Sequence, residues 1–214
     1  MKPVSDFWCS RPTRLTVGLK LLANASLWSL VFCLFSGLSA QALELRVAIR
    51  KGVSNVKVGS STPAVVKNSG GKTIGTLESL VPQTATASGR AINLGGIQAS
   101  QITIEPSGDG RIWIGDRWYR GEVRLMRQGN GVTAVNLVDL EEYLYSVVGS
   151  ESIPTWPLEA LKAQAVAARS YAIYQTSKDS NRYYDLDTTT ATQVYKGLNL
   201  SLIHISEPTR LRRN

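Results

Sequence analysis

The stretch from Asp139 to Gln175 constrains the fold most, because it contains two helix signals separated by a short polar break. Asp139 followed by Glu142 forms a capping-box start. The apolar residues after Asp139 recur with helical spacing and define one face: Leu140, Tyr143, Leu144, Val147 and Val148. Gly149 predicts the end of this helix, since glycine adopts left-handed dihedrals without steric cost.

A second helix is predicted to begin near Thr155, with Pro157 in its first turn and an alanine-rich body that extends to about Tyr174. Its predicted packing stripe consists of small and aliphatic residues: Leu158, Leu161, Ala165, Ala168 and Ala172. A single carboxylate, Glu151, falls in the break between the helices. We therefore expect Glu151 on a loop held at both ends by buried helices, and loops on rigid scaffolds often carry catalytic groups.

The chain from about residue 44 to 136 shows short apolar alternation interrupted by turn residues, which is typical of antiparallel strands. Residues 59–101 are rich in Gly, Ser and Thr and predict loops with weak strands, such as 92–94. With the two helices, this pattern predicts an α+β fold. A β-rich part over residues 43–136 would precede a helical catalytic core over residues 137–200, which is incomplete at its C-terminus.

Three hairpins are predicted within the β-rich part. The first would use the turn at 106–110 to pair four isoleucines: Ile102, Ile104, Ile112 and Ile114. The second would turn at Gly115-Asp116. The third would turn at Asn130-Gly131, between the apolar alternation on either side of it.

The N-terminal segment reads as a secretory signal peptide over residues 1–42. Basic residues precede an apolar run from Leu21 to Ala40, and Ala40-Gln41-Ala42 offers a small-x-small cleavage site. We expect export to the periplasm or cell envelope. The alternative is an uncleaved membrane anchor, because the run approaches the ~20 residues that span a bilayer. Both cysteines, Cys9 and Cys33, lie in this segment, so a chain cleaved after Ala42 would contain no disulfide and no thiolate metal site.

The charge distribution gives no support for nucleic-acid binding. The formal net charge of +8 includes +3 from residues 1–42 and +2 from residues 201–214. The remaining +3 is spread over residues 43–200, which is an ordinary solvated surface with at most a mild preference for anionic polymers such as a cell wall.

Four segments resemble the core signature of the SpoIID/LytB family, which comprises stage II sporulation protein D and amidase-enhancer proteins. They are YRGEV at 119–123, LEEYLYSVVGSE at 140–151, PTWPLEALKAQAVAARSYA at 154–172, and DLDTTTATQVYKG from Asp185 to Gly197. The resemblance is dense from about Tyr119 to Gly197 and loose from about Leu45 to Ser100.

This resemblance implies an exported lytic transglycosylase that cleaves the MurNAc–GlcNAc bond of peptidoglycan glycan strands and leaves 1,6-anhydro ends. It implies that the glutamate of the SE pair, Glu151, is the catalytic acid. The family's functional lysine and glutamine fall on Lys162 and Gln164. No cofactor is implied. The family's other branch supplies the alternative function, a non-catalytic wall-binding protein that enhances an N-acetylmuramoyl-L-alanine amidase.

One carboxylate is sufficient for lytic cleavage, whereas ordinary glycoside hydrolysis uses two. The acid protonates the glycosidic oxygen, and the resulting carboxylate accepts the proton of the sugar's own 6-hydroxyl, which closes the anhydro ring without water. This dual role requires a partly desolvated site that keeps some of the acid form near neutral pH. Apolar residues near Glu151 are expected to supply that wall: Val147, Val148, Ile153 and Trp156.

Helix geometry distinguishes the candidate supporting residues. Lys162 and Gln164 are separated by ~200° around a helix axis, so a straight helix cannot direct both into one cleft. Arg169 lies seven residues after Lys162, on the same face. We therefore expect Lys162 and Arg169 to face the substrate or Glu151. Gln164 is expected to be a buried hydrogen-bonding residue that joins this helix to another element.

The resemblance ends after Gly197. Residues 201–214, SLIHISEPTRLRRN, resemble translated sequencing adapter and are expected to be foreign, so no catalytic or metal role is expected for His204. Related proteins continue with a functional tyrosine, a Ser/Gly-rich loop and, in some members, zinc ligands. The chain is therefore expected to be a C-terminally truncated fragment, whose activity is less certain than that of its parent.

Overall fold

The alternating apolar residues of the β-rich part form strands in two sheets. The computed structural model describes residues 43–153, 155–178, 183–188 and 193–198. The strands are β1 (Glu44–Val53), β2 (Asn55–Ser60), β3 (Ala64–Asn68), β4 (Thr73–Leu77), β5 (Gln83–Ser88), β6 (Ala91–Leu94), β7 (Ile97–Ala99), β8 (Gln101–Pro106), β9 (Ile112–Ile114), β10 (Arg117–Tyr119), β11 (Glu122–Gln128), β12 (Gly131–Asp139) and β13 (Leu186–Asp187). The helices are α1 (Leu140–Glu151) and α2 (Leu158–Ser177).

The first sheet has seven strands in the order β13-β1-β12-β11-β8-β3-β4, and the second has six in the order β10-β9-β2-β5-β6-β7. Only the pairing of β13 with β1 is parallel among the named strand pairs of the described chain. The predicted α+β class is confirmed, since strands in mixed sheets precede two helices.

β12 is buried along nearly its whole length, from Gly131 to Val138. It lies between β1 and β11, and both of its faces are covered. Ala134 and Val138 contribute to the main core that both sheets share. Val135 and Leu137 belong to a second small cluster. A strand covered on both faces needs a nearly continuous apolar sequence, and VTAVNLV supplies it with two polar interruptions, Thr133 and Asn136.

α1 follows β12 directly and begins as the sequence predicts. Asp139 is its N-cap, and the Oδ1 atom accepts hydrogen bonds from the backbone N–H groups of Glu141 at 2.8 Å and Glu142 at 3.4 Å. The buried face comprises Leu140, Tyr143, Leu144, Ser146 and Val147, so the predicted apolar face is largely confirmed.

The predicted stop at Gly149 is wrong. The helix continues to Glu151, and the backbone N–H of Ser152 closes it on Val148 O at 3.0 Å. Gly149 is helical and does not have the left-handed backbone that would end the helix there. Glu151 is therefore in the last turn of a helix and not in a free loop, so its Cα position is fixed by the helix.

α2 begins at Leu158, with Pro157 as its N-cap, and extends to Ser177, three residues past the predicted end. Its predicted stripe is confirmed only in part, since Ala168 and Ala172 are buried whereas the Leu158 side chain is 64% exposed. The helix contacts α1 and β13 in the described chain, and small alanine side chains let the two helices approach closely.

The hairpin predictions have different outcomes. The turns near Gly115-Asp116 and Asn130-Gly131 do connect antiparallel partners, although the second loop is Gly129-Asn130. The hairpin across 106–110 is wrong, because β8 pairs with β3 and β11 in one sheet while β9 pairs with β2 and β10 in the other. The isoleucines of both strands enter the same core from opposite sheets, and their alternation alone cannot distinguish that arrangement from a hairpin.

Residues 59–101 contain more strand than the sequence predicts. β3, β4, β5 and β7 lie there besides the expected strand at 92–94, which is β6. These strands are short and rich in Thr and Ala, so their stability derives from neighbours in the ladder and not from an intrinsic preference.

No helix in the described part of the chain is long and apolar enough to span a membrane. The predicted signal segment at 1–42 and the expected foreign tail at 201–214 lie outside the described residues.

Candidate functional site

Glu151 lies where three separate segments meet. The Oε2 atom accepts a hydrogen bond from Gln164 Nε2 of α2 at 2.8 Å. The Oε1 atom accepts one from the backbone N–H of Val194 at 2.8 Å, which belongs to the segment 193–198. The side chain is half-buried. Each carboxylate oxygen therefore has one N–H donor, and since a carboxylate offers about four lone-pair sites, it can accept further hydrogen bonds or a proton.

Glu151 forms no ion pair with any described residue, unlike the three other glutamates of the two helices. Glu141 pairs with Arg169 at 2.5 Å, Glu142 with Arg120 at 3.8 Å, and Glu159 with Lys162 at 2.9 Å. Neutral N–H donors alone orient the Glu151 carboxylate, so its orientation is fixed without neutralising its charge.

Gln164 joins α2 to another element, since it donates to Glu151 of α1, but its side chain is half-buried and not buried as predicted. Lys162 and Arg169 are expected to face either the substrate or Glu151. In the described structure neither side chain forms a hydrogen bond or ion pair with Glu151. Lys162 donates to Glu159 on its own helix, and Arg169 forms a two-pronged contact with Glu141 at 3.1 and 2.5 Å. The ~200° separation excludes Lys162 from the face of Gln164, as the geometry requires. Contact of Lys162 and Arg169 with substrate stays a prediction.

The sequence reasoning missed Gln193, which links the segment 193–198 to both helices. Its side chain is 8% exposed. The Oε1 atom accepts from the Tyr143 hydroxyl of α1 at 3.0 Å, and Nε2 donates to Ala168 O of α2 at 3.1 Å. The only available sequence signal was the position of this glutamine inside the TQVYKG motif, since its partners are 25 and 50 residues away along the chain.

Three tyrosines form a buried cluster beneath this segment. The rings of Tyr143 and Tyr195 stack with centroids 4.8 Å apart, and Tyr119 lies 5.5 Å from Tyr195. Burial raises the pKa of Tyr119 to about 12, and it also raises the pKa of Tyr143 and of Tyr195 above the ordinary value. All three hydroxyls are therefore protonated at neutral pH and available as hydrogen-bond donors.

Tyr195 connects the segment to the centre of the first sheet. Its hydroxyl donates to Asn136 Oδ1 at 2.7 Å, and Asn136 Nδ2 donates to the backbone carbonyls of Arg120 and Glu122, each at 2.8 Å. Asn136 is one of two buried polar residues in VTAVNLV, and all of its side-chain polar atoms have partners. The glutamate is thus connected through Val194 and Tyr195 to the most buried strand of the fold.

Comparison with known proteins agrees with the segments that form this site. Residues 128–210 match the family model described as Stage II sporulation protein, SpoIID. This part of the chain is therefore similar to a SpoIID domain. The matched range includes Glu151, Lys162, Gln164, Arg169 and Gln193, and it continues past Gly197 into the segment 201–214 that is expected to be foreign.

A protein of Brachyspira hyodysenteriae (strain ATCC 49526 / WA1), itself described as uncharacterised, is 39% identical to this chain over 110 residues. The aligned part covers 51% of this chain and 29% of that protein, so the chain spans less than a third of that relative's length. No solved structure matches the chain.

The apolar wall expected around the SpoIID glutamate is only partly present. Val147 is buried and Val148 is half-buried, whereas Ile153 is 57% and Trp156 is 40% exposed. Two of the four residues expected to form this wall are therefore exposed at the surface.

A separate open cleft of about 270 Å³ lies at the start of α1, and its lining does not include Glu151. Glu105, Asp109, Glu122 and Glu142 line it together with Arg111. Burial raises the pKa of Glu122, and the neighbouring charges of Glu105 and Glu44 raise it further. Within the described residues, no group of three or more His, Cys, Asp or Glu side chains has an arrangement that could hold a metal ion.

Proposed function

We propose that this protein is an exported peptidoglycan lytic transglycosylase, in which Glu151 acts first as acid and then as base. Its substrate would be the glycan strand, cleaved between MurNAc and GlcNAc. Two independent arguments support the proposal: residues 128–210 are similar to a SpoIID domain, and Glu151 is the one helix carboxylate of the described chain without a cationic partner.

The absence of a cationic partner carries most of the argument. The other three helix glutamates each lie 2.5–3.8 Å from a cationic side chain, whereas the described donors to Glu151 are neutral N–H groups. Neutral donors such as Gln164 and the Val194 N–H orient the carboxylate without placing a fixed positive charge beside it.

The proposed reaction needs no group beyond Glu151 and the substrate. The protonated carboxyl gives its proton to the glycosidic oxygen while the bond from C1 of MurNAc to that oxygen breaks. The 6-hydroxyl oxygen of the same MurNAc attacks C1, and its proton passes to the Glu151 carboxylate. The products are a 1,6-anhydro end and a free 4-hydroxyl on GlcNAc, and the glutamic acid is regenerated.

Lys162 and Arg169 are proposed to contact the glycan strand, and Gln164 to support Glu151. The Lys162 side chain is 60% exposed and its i,i+3 pair with Glu159 is weak, so a substrate group can displace it at little cost. Arg169 is less available, because its fork-shaped contact with Glu141 uses two of its donors.

A second function, non-catalytic enhancement of an N-acetylmuramoyl-L-alanine amidase, is supported by a different observation. Both oxygens of Glu151 already have donors within the protein, and these donors join α1 to α2 and to the segment 193–198. A glutamate that only held these segments together would have the same contacts. In that case Glu151 would be important for stability and wall binding, and no glycan bond would be cleaved.

The substitution Glu151→Gln distinguishes the two functions. The amide has nearly the same size and keeps an acceptor oxygen, but it cannot protonate a glycosidic oxygen. If the protein is a transglycosylase, release of 1,6-anhydro products from purified peptidoglycan, measured by mass spectrometry, should fall about 10²–10⁴-fold. Glu159→Gln is the matched control, since the Glu159 side chain is 81% exposed and lies in the first turn of α2. Equal activity of Glu151→Gln and the unsubstituted protein would contradict the catalytic role.

The amidase alternative predicts a different result in the same preparation. The unsubstituted protein would release no 1,6-anhydro ends, and it would increase the release of stem peptides when a purified amidase is added. Glu151→Gln would then change this stimulation only as far as it changes the melting temperature.

A further inference from the structure

We infer that Gln193 is a positioning residue, which holds the Val194 N–H against Glu151 and so fixes the orientation of the carboxylate. The inference rests on the proposed catalytic role of Glu151 and extends it to a residue that does not contact Glu151 itself. It starts from the contact of Val194 N with Glu151 Oε1 at 2.8 Å, which joins residues 43 positions apart.

The Val194 N–H cannot be held by regular secondary structure. The segment 193–198 forms only an isolated bridge, between Leu198 and Trp118, and this lies four residues after Val194. Close to Val194, the described hydrogen bonds that fix the segment come from its two neighbours, Gln193 and Tyr195. The alternation of buried Gln193, half-buried Val194 and buried Tyr195 directs the two neighbours into the protein interior.

Gln193 has the geometry of a clamp between the helices. Its side-chain amide accepts a hydrogen bond from the Tyr143 hydroxyl of α1 and donates one to Ala168 O of α2, and both hydrogen bonds are buried. α1 carries Glu151 and α2 carries Gln164. The 2.8 Å hydrogen bond between these two side chains requires that the helices stay at a fixed separation. One buried side chain thus fixes both helices and the backbone donor relative to one another.

Fixing the carboxylate matters for the proposed chemistry, because general acid catalysis depends on a hydrogen-bond distance to the reacting oxygen. A misplacement of about 1 Å can reduce a rate by about 10²-fold. Gln193 would therefore affect the chemical step and leave the binding of the glycan strand largely unchanged.

The first test is kinetic and uses Gln193→Met, which preserves the volume and removes both hydrogen bonds. We expect kcat for release of 1,6-anhydro ends to fall about 10–100-fold, with KM changed by less than about twofold. Ser146→Ala is the matched control. The Ser146 hydroxyl also joins α1 to this segment, at Gly197 O and 2.9 Å, but at the end away from Val194. Equal losses of kcat in the two variants would overturn the inference.

The second test is spectroscopic and does not need activity. In the unsubstituted protein, Glu151→Gln should move the amide proton resonance of Val194, because a charge-assisted hydrogen bond becomes a neutral one. In the Gln193→Met background the same substitution should move it much less. An undiminished response of Val194 in that background would contradict the positioning role, even if the protein proves to have no transglycosylase activity.

Tyr143→Phe is the second variant, for the case in which Gln193→Met does not fold. It keeps the ring stacked on Tyr195 and removes only the hydroxyl that donates to Gln193 Oε1. We expect kcat to fall less than in Gln193→Met. The shift that Glu151→Gln causes in the Val194 amide proton resonance should also be diminished, but by less than in the Gln193→Met background. A folded Tyr143→Phe protein with unchanged kcat and an unchanged Val194 resonance would count against the clamp.

Discussion

Gln164 Nε2 lies 2.8 Å from Glu151 Oε2, and this contact joins the last turn of one helix to the second turn of the next. The two residues are 13 positions apart, and the connection between their helices is short. A donor on a helix is held more rigidly than one on a loop, so the glutamate is oriented by two regular elements. This relationship ranks the candidate supporting residues of α2.

Gln164→Leu should reduce activity more than Lys162→Ala. Leucine cannot donate to Glu151, and we expect kcat to fall about tenfold or more, since one oriented donor is lost at the carboxylate. Lys162→Ala removes only a surface pair, so the free energy of unfolding should change by less than about 0.5 kcal/mol. If Lys162 contacts the glycan strand, KM should rise while kcat is retained. Steady-state kinetics with purified glycan strands would measure both, and a larger kcat effect for Lys162→Ala would reverse the ranking.

Gly197→Ala should destabilise the segment that carries Val194. Gly197 has a φ of +67°, and a Cβ atom there would lie 2.4 Å from Trp118 O. Gly89→Ala is the matched control, because Gly89 has a φ of +57° with no atom within 4 Å of its Cβ position. We expect a cost of about 1–2 kcal/mol for Gly89→Ala from backbone strain alone and a larger one for Gly197→Ala. Denaturant unfolding measures both, and equal costs would mean that the segment moves away without loss.

Asn136→Leu should destabilise the protein by about 1–3 kcal/mol for each buried polar group that it leaves without a partner. The variant removes the acceptor of the Tyr195 hydroxyl and the donor to two backbone carbonyls. The double variant Asn136→Leu/Tyr195→Phe should recover part of the loss, because the orphaned hydroxyl is then absent too. Additive losses in the double variant, measured by denaturant unfolding, would show that the two side chains do not depend on each other.

The parts of the fold that could be predicted from the sequence depend on local signals. Asp139 predicts its helix start because an N-cap acts through its own neighbouring N–H groups. Gly149 failed as a stop signal because glycine permits a left-handed turn without requiring one. β8 and β9 belong to different sheets because of contacts with residues distant in the sequence. The alternation of apolar residues along a strand does not indicate which sheet the strand joins.

The candidate site follows the same division. Glu151 could be singled out as a candidate from its place between two helix signals and from the family resemblance, and Gln164 from the resemblance alone. Gln193 could not, since its role depends on Tyr143 and Ala168, which only the packing of the helices brings near it. The preference for Lys162 and Arg169 over Gln164 near Glu151 failed because spacing along one helix does not tell which face meets the neighbouring helix.

Glu122 should make the stability of the protein depend on pH in an identifiable direction. Burial, followed by the charges of Glu105 and Glu44, raises its pKa in the folded protein. The folded state therefore binds the proton more tightly than the unfolded state. Stability that depends on this proton is fully present below the ordinary glutamate pKa of about 4.3, and it is lost as the pH rises through the raised value.

Glu122→Gln should consequently raise the melting temperature near pH 7 and have little effect at about pH 4, where the glutamate is largely protonated in both states. Glutamine keeps the backbone carbonyl that accepts from Asn136, so the network beside it is undisturbed. Glu78→Gln is the control, since it makes the same substitution at an exposed glutamate. The melting temperatures of the unsubstituted protein, Glu122→Gln and Glu78→Gln, measured at both pH values, test this prediction. A Glu122→Gln protein that is less stable near pH 7 would mean that the charged form of Glu122 is favoured in the folded state.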